Sequence, residues 1–298
     1  MKWGWKKSSI IVSCISSERA MGLAEKYRQL QAMIKATDSA AVAYSGGVDS
    51  SLLLKVAADC LGPEQVLALT AVSPLFPAYE IEQSRKLAAL LGVRHECIDS
   101  GDLEREEFIN NDPLRCYYCK LNLFTLFTKT LENSGYQVLF EGSNLDDLQD
   151  YRPGRKALEE LQIRSPLLEA GFTKQDIRNL SRELDLPTWN SQPVACLATR
   201  FPYGTRITAE RLAQVERCES WLREQGLSHY RVRWHERLAR IEVATGDLPR
   251  LVAEPLRSTL LEFFKRNGFD YVTLDLQGYR SGSMNETLPE ALRRNDRD

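Results

Sequence analysis

The chain reads as an α/β protein in which a parallel sheet carries helices on both faces and a smaller α+β module follows. Three observations predict this. Short apolar runs of strand length alternate with helical runs as far as residue 184, the pattern of crossover units. A glycine-rich turn, Tyr44-Ser45-Gly46-Gly47-Val48-Asp49-Ser50-Ser51, joins the first strand to the helix after it. The texture then changes near residues 202–208, after Phe201-Pro202-Tyr203-Gly204, and we place a domain boundary at residue 204.

The elements follow in order. Ala40 to Tyr44 is a buried strand, and Ser50 to Leu61 carries Leu52, Leu53, Val56, Ala57 and Cys60 at helical spacing. Val66 to Val72, His95 to Ile98 and Val138 to Glu141 read as strands. Tyr79 to Leu91, Leu121 to Leu131 and Lys174 to Leu184 read as helices, the last opened by a capping box of Thr173 with Asp176. Past the boundary come a helix from Ala209 to Gln225, strands Tyr230 to Trp234 and Ala239 to Ala244, a helix from Leu248 to Asn267 and a strand from Tyr271 to Leu276.

Composition narrows the function classes. A chain of 298 residues with 43% hydrophobic content can bury a large core and a second, smaller one. A net charge of −2 gives no global field for polyanions, so nucleic acid is not an expected partner and small anionic substrates fit better. Lys2, Lys6 and Lys7 precede a short apolar run from Ile10 to Ile15 that resembles a signal peptide. Ser13 interrupts that run and no small-residue cleavage site follows, so residues 1–20 are read as a doubtful leader with Met21 as the working start. The domains are then 21–204 and 205–298. No stretch approaches the roughly 20 apolar residues of a membrane span, and a cytoplasmic protein with free thiols is expected.

The turn at Ser45 carries the first chemical signal. Gly46 and Gly47 can take positive φ, which lets consecutive N–H groups converge on an anion at the positive end of the helix. The lysine of a Walker loop and the spacing of a dinucleotide fingerprint are both missing. The turn resembles instead the SGGxDS loop of the PP-loop ATP pyrophosphatases. That resemblance implies that the pyrophosphate of ATP binds here and that AMP passes to a substrate oxygen, which turns a poor leaving group into a good one. It implies ATP contacts at Ser45, Gly46, Gly47, Val48, Asp49 and Ser50, and at Gly142 and Asn144 in Glu141-Gly142-Ser143-Asn144-Leu145-Asp146-Asp147 at the end of the Val138 strand. Asp146 there is the expected Mg ligand, since a hard cation suits carboxylate oxygens; a solvated acidic loop is the alternative. Arg152 just beyond is a candidate phosphate clamp.

Seven cysteines sort into two groups. Cys14 lies in the doubtful leader, and Cys60, Cys97 and Cys218 fall in periodic segments where a thiol packs as a small hydrophobe. Cys116 and Cys119, in Arg115-Cys116-Tyr117-Tyr118-Cys119-Lys120, can reach one centre, with Arg115 and Lys120 favouring thiolates. Cys196 sits in a loop beside the domain boundary. Three thiolates are one short of a closed zinc or cluster site and leave a coordination position open. A [4Fe-4S] cluster with a bound extra sulfide, a structural zinc with a fourth ligand elsewhere, and a Cys116–Cys119 redox disulfide all remain open readings.

Five segments together resemble the LarE family: the Ser45 turn, the Arg115 to Lys120 segment, Glu141 to Asp147, Cys196-Leu197-Ala198-Thr199-Arg200-Phe201-Pro202-Tyr203-Gly204, and Ser281-Gly282-Ser283-Met284-Asn285-Glu286. The resemblance implies an oligomeric sulfur transferase that uses ATP and Mg to adenylate pyridinium-3,5-dicarboxylate mononucleotide and converts its carboxylates to thiocarboxylates for the nickel-pincer cofactor of lactate racemase. Proteins acting before and after it in cofactor synthesis are the implied partners. In single-cysteine members the residue matching Cys196 gives up its own sulfur and becomes dehydroalanine. The added Cys116 and Cys119 place this chain with the three-cysteine variety, for which a sulfide-carrying [4Fe-4S] cluster held by Cys116, Cys119 and Cys196 is implied.

In the small module, alternation along Tyr230-Arg231-Val232-Arg233-Trp234 sends Arg231 and Arg233 to one face, with Glu242 near them on the partner strand. This set is the candidate for binding the substrate's phosphate or carboxylate bidentately; a solvated face of cross-strand ion pairs is the alternative. Two other function classes stay in view, a PP-loop tRNA thiolase and a nucleotide-sensing iron–sulfur protein without turnover.

Overall fold

Strands β1 (Ala40–Ala43), β2 (Val66–Val72), β3 (Arg94–Asp99) and β4 (Val138–Phe140) form one sheet in the order β3-β2-β1-β4 in the computed structural model. The structure describes residues 22–148, 153–192, 196–280 and 282–287, so the leader with Met21, Arg152 and Ser281 lie outside it. Every pairing in this sheet is parallel, with β1 between β2 and β4. The chain leaves β1 toward β2 and later returns to pair β4 on the other side. The carboxyl ends of β1 and β4 therefore bound the crevice where open α/β sheets hold their ligands.

Alternation along the strands feeds two cores. Ala40 and Val42 face α1 (Leu23–Lys35) and α2 (Val48–Leu61) through Leu30, Ile34, Leu52 and Val56. The same core takes in Leu87 of α3 (Ala78–Leu90). On the other face, Ala41, Leu67 and Leu69 meet Phe124 and Phe127. The short α4 (Glu106–Ile109) leads to α5 (Arg115–Ser134), which carries both phenylalanines. Leu158 of α6 (Gly154–Glu160) completes that layer. After α7 (Pro166–Glu169), the Thr173 hydroxyl accepts the Asp176 N–H at 3.2 Å and the Asp176 carboxylate accepts the Thr173 N–H at 3.0 Å, opening α8 (Lys174–Glu183) with the expected capping box.

The second module packs α9 (Ala209–Glu224) on β5 (Tyr230–His235) and β6 (Leu238–Val243); α10 (Leu248–Val252) and α11 (Leu256–Arg266) then lead to β7 (Tyr271–Leu274). Its sheet runs β5-β6-β7, antiparallel then parallel. The core of this module also takes in Leu75, Phe108, Ile109, Leu197 and Phe201 from before residue 204. The backbone bond from Ile207 N–H to Ile109 O at 2.8 Å crosses the boundary, and Leu197 N–H donates to Leu75 O at 2.9 Å just before it. They hold the segment after Cys196 against the carboxyl end of the first sheet.

Three sequence expectations are corrected. The single helix from Leu248 to Asn267 is two helices broken at residues 253–255, because Pro255 has no N–H and disfavours a helical residue before it. Helix α5 begins at Arg115 rather than Leu121, so Cys116 and Cys119 are helical residues one turn apart. Cys97 is exposed on the edge strand β3 rather than packed. Among the described residues no helix is long and apolar enough to cross a membrane.

Candidate active site

The Ser45 turn is tied by its own hydroxyls. The Ser50 hydroxyl accepts the Ser45 N–H at 3.2 Å and donates to the Gly47 carbonyl at 3.3 Å, and the Ser45 hydroxyl accepts the Gly47 N–H at 3.4 Å. Of the two glycines, only Gly46 takes positive φ (+76°); Gly47 is extended and begins α2 without a side-chain cap. The uncapped N–H groups of α2 thus face the crevice with the helix dipole behind them. A Cβ at Gly46 would lie 3.2 Å from Ser84 Cβ on α3. Gly46→Ala should therefore cost about 1–2 kcal/mol in loop strain and raise KM for ATP roughly tenfold. Steady-state pyrophosphate release checks this, and an unchanged KM would remove the turn from ATP binding.

The loop after β4 closes on this turn. Gly142 approaches so near that a Cβ there would meet Ser50 N at 3.2 Å and Asp49 at 3.4 Å. Asn144, buried, donates from Nδ2 to Asp49 Oδ1 at 3.3 Å and accepts the Asp146 N–H at 3.0 Å. Lys174 bridges the two carboxylates: its ammonium lies 2.5 Å from Asp49 Oδ2 and its backbone N–H donates to Asp146 Oδ2 at 2.7 Å. Asp49 and Asp146 thus bring carboxylate oxygens, the kind of donor Mg takes, beside the Ser45 turn, with Lys174 paired to Asp49. Glu141 is turned away, its carboxylate accepting from Ser143 N–H at 3.0 Å, the Ser143 hydroxyl at 2.9 Å and the Ser165 hydroxyl.

Cys116, Cys119 and Cys196 line one cavity of about 230 Å³ that also reaches Tyr44 and Ser45. Arg115 makes this possible. Its buried guanidinium donates to Asn111 Oδ1 and to Ala198 O at 3.0 Å, and lies 3.7 Å from Cys116 Sγ. The start of α5 is thereby fastened to the turn that follows Cys196. Arg200 fastens the other side, donating to Cys196 O at 3.2 Å while Glu219 grips it through two 2.8 Å bonds. Burial pushes the Cys196 thiol up to about 11 against the opposing pull of Arg115. It pushes Cys119 well up as well, helped by Asp102. The expected favouring of a thiolate at Cys119 by Arg115 and Lys120 is thus outweighed by desolvation.

The three sulfurs suit a soft, thiophilic group. Among the described residues no three ligand side chains converge on a single metal ion.

Arg231 and Arg233 part company. Arg233 is buried in a fork with Glu242, 2.9 and 2.7 Å, and also donates to Thr199 O at 2.9 Å and the Ser283 hydroxyl at 2.7 Å. This links β5 and β6 to the turn after Cys196. Arg231 lies over the Tyr279 ring and lines a small cavity with Glu80, Arg200 and Glu219. A larger cavity of about 450 Å³ runs from Ser45 and Gly46 past Tyr79 and Glu80 to Arg223. Sequence reasoning missed Glu80, Arg200 and Glu219. Arg200 stood inside the quoted Cys196 motif, whereas Glu80 looks like an ordinary acidic residue in a helix's first turn.

A four-strand parallel sheet with a phosphate turn at its switch point, and a carboxylate and carboxamide closing on that turn, defines the adenine nucleotide alpha hydrolase superfamily. No family model matches the chain. It is 39% identical over 269 residues to pyridinium-3,5-bisthiocarboxylic acid mononucleotide synthase of Lactiplantibacillus plantarum, covering 90% of this chain and 97% of that protein. An uncharacterised protein of Synechocystis is 40% identical over 266 residues, 89% of this chain and 99% of its own length. The tRNA-specific 2-thiouridylase MnmA of Halothermothrix orenii is 26% identical over 189 residues, about half of each chain. The chain belongs to the LarE family of pyridinium-3,5-bisthiocarboxylic acid mononucleotide synthases and is an ATP-dependent enzyme.

Proposed function

We propose that this enzyme makes thiocarboxylates from pyridinium-3,5-dicarboxylate mononucleotide for a nickel-pincer cofactor, with Cys116, Cys119 and Cys196 as the sulfur-handling set. The observation that supports it most is the shared cavity: the three sulfurs open onto the same space as Ser45 of the phosphate turn. A carboxylate oxygen of the substrate attacks the α-phosphorus of ATP, pyrophosphate departs into the Ser45 turn, and the acyl adenylate forms beside the thiols. Sulfur then adds to the acyl carbon and AMP leaves with the original oxygen. Asp49 and Asp146 would hold Mg, whose charge would balance the departing pyrophosphate. Arg231 would face a phosphate or carboxylate of the substrate, while Arg233, saturated by Glu242, Thr199 and Ser283, would keep β5 in place behind it.

Cys116, Cys119 and Cys196 would hold a [4Fe-4S] cluster, which when bound supplies a transferable sulfide and leaves the protein sulfurs intact. The alternative is that Cys196 itself attacks the adenylate and then loses sulfur by elimination. The enzyme would work as a homo-oligomer between the proteins that deliver the dicarboxylate and those that receive the product.

The test is turnover of anaerobically prepared enzyme with ATP, Mg and the dicarboxylate mononucleotide, following pyrophosphate, AMP and thiocarboxylate. Iron content and the intact mass are measured before and after. Iron with an unchanged mass supports the cluster; loss of sulfur from the chain supports sacrifice of Cys196. Absence of substrate-dependent pyrophosphate release sinks the function.

A further inference from the structure

Three cavities meet at one side chain. Glu80 lines the 450 Å³ cleft from the phosphate turn, the small cavity of Arg200 and Arg231, and the cavity of the three cysteines. It projects from the first turn of α3, which rests against Gly46 of the phosphate turn. Its Oε1 accepts the Tyr79 hydroxyl at 2.9 Å. Its Oε2 is buried with no hydrogen-bond partner among the described residues. Such an atom costs stability unless a ligand satisfies it.

Arg200 and Arg231 act on it through charge but give it no hydrogen bond. Arg200 is held bidentately by Glu219, and the Arg231 guanidinium bonds to Tyr230 O at 2.7 Å and lies over Tyr279. Arg223 stacks 3.7 Å above the Tyr79 ring, with its Nη1 buried and unpartnered among the described residues; Thr188 Oγ1 is in the same condition on the wall of the same cleft. The walls of the cleft therefore hold one unpartnered carboxylate oxygen close to the phosphate turn and two further unpartnered polar atoms. A fixed cation on a flat ring can balance the charge of that carboxylate without a hydrogen bond to it, and anionic groups on the same ring can meet the donors.

We propose that Glu80 is the counter-ion of the substrate's pyridinium ring and so selects a cationic aromatic dicarboxylate over a neutral one. The assignment rests on the substrate named under Proposed function. A ring placed against Glu80 lies between the turn that takes pyrophosphate and the cavity that holds the thiols. Its carboxylates can then meet ATP on one side and sulfur on the other. Burial raises the Glu80 carboxyl above its ordinary range, with Arg200 and Arg231 opposing and Glu219 adding to the rise. A fixed positive charge that cannot titrate away is the partner that keeps this carboxylate ionised in place.

Full-length enzyme is assayed by pyrophosphate release with ATP and the dicarboxylate mononucleotide. Glu80→Gln keeps the shape and the Tyr79 bond but loses the charge. It should raise KM for the mononucleotide roughly tenfold or more while KM for ATP, which reports an intact fold and phosphate turn, stays put. Glu80→Asp, which keeps the charge, should recover part of the loss. Wild-type enzyme should also be inhibited about tenfold more tightly by N-methylpyridinium-3,5-dicarboxylate than by its neutral isostere 5-methylisophthalate, a preference that Glu80→Gln erases. Equal inhibition by the two, or an unchanged mononucleotide KM in Glu80→Gln, overturns the assignment and leaves the parent function standing. A lowered kcat with unchanged KM also overturns it, since that marks a proton-transfer role. Wild-type enzyme that releases no pyrophosphate with the mononucleotide fails the parent function, and this assignment with it.

Discussion

Cys196→Ser should abolish thiocarboxylate formation, by at least about 10³-fold, or ~4 kcal/mol of transition-state stabilisation, while a first equivalent of pyrophosphate is still released from ATP and substrate. The separation follows from the geometry. The phosphate turn is built from Ser45, Ser50 and the start of α2, and none of its hydrogen bonds runs through Cys196. Cys196 belongs to the opposite wall, held by Arg200 through its carbonyl and by Leu197 through Leu75. Adenylation and sulfur delivery are thus carried by different elements around one cavity, and removing the sulfur should stall the reaction at the adenylate. Cys116→Ser and Cys119→Ser discriminate between the two sulfur sources. Both should be as severe as Cys196→Ser if three thiolates jointly hold a cluster, and both should retain a single turnover if Cys196 alone is the donor. Thiocarboxylate and pyrophosphate measured in the same reaction give the answer. A Cys196→Ser enzyme that still makes thiocarboxylate would remove this cysteine from either route.

Much of this arrangement was legible in the sequence because it is local. The strand at Ala40, the turn at Ser45 and the helix behind it are encoded by contiguous residues whose apolar spacing switches period at the glycines. The capping box at Thr173 is equally local and is present as read. What the sequence withheld depends on contacts between distant segments. The helix read from Leu121 stops short of Cys116 and Cys119 because Arg115, Tyr117, Tyr118 and Lys120 give no apolar period. The helix begins there because Leu114 N–H is caught by Asp112 at 2.7 Å and because Arg115 is buried against Ala198. The meeting of Cys116 with Cys196 rests on that single buried guanidinium, which no spacing rule reveals. Arg233 is the converse case. Period-two alternation correctly put it on one face with Arg231, but that face is covered by the turn after Cys196 and by Ser283, so the side chain is buried rather than presented. Glu80 escaped notice because a first-turn glutamate is common, and only the three cavities around it mark it out.

Glu242→Ala should destabilise the protein by about 3–5 kcal/mol, the largest stability effect expected of any single replacement near the site. Glu242 is completely buried and accepts two bonds from Arg233, at 2.9 and 2.7 Å, with Arg240 3.2 Å away and the Ser283 hydroxyl at 3.3 Å. Deleting the carboxylate strands the Arg233 guanidinium, itself 4% exposed, with no anion to repay its desolvation. The ion pair need not be strongly stabilising for this to hold, because the cost lies in leaving one charge alone. Removing both charges together, as Glu242→Leu with Arg233→Met, should therefore recover most of the lost stability while disconnecting β5 from Thr199. Urea unfolding of the single and double variants measures the two effects. Thiocarboxylate formation by the double variant then shows whether the fork also aligns Cys196, since Arg233 donates to Thr199 O and the Thr199 hydroxyl donates to Cys196 O at 2.8 Å. A stable double variant with impaired sulfur delivery and intact pyrophosphate release would mean the buried pair is kept for the position of the thiol. A single variant losing less than about 1 kcal/mol would mean that water reaches Arg233 and that the pair is open to substrate after all.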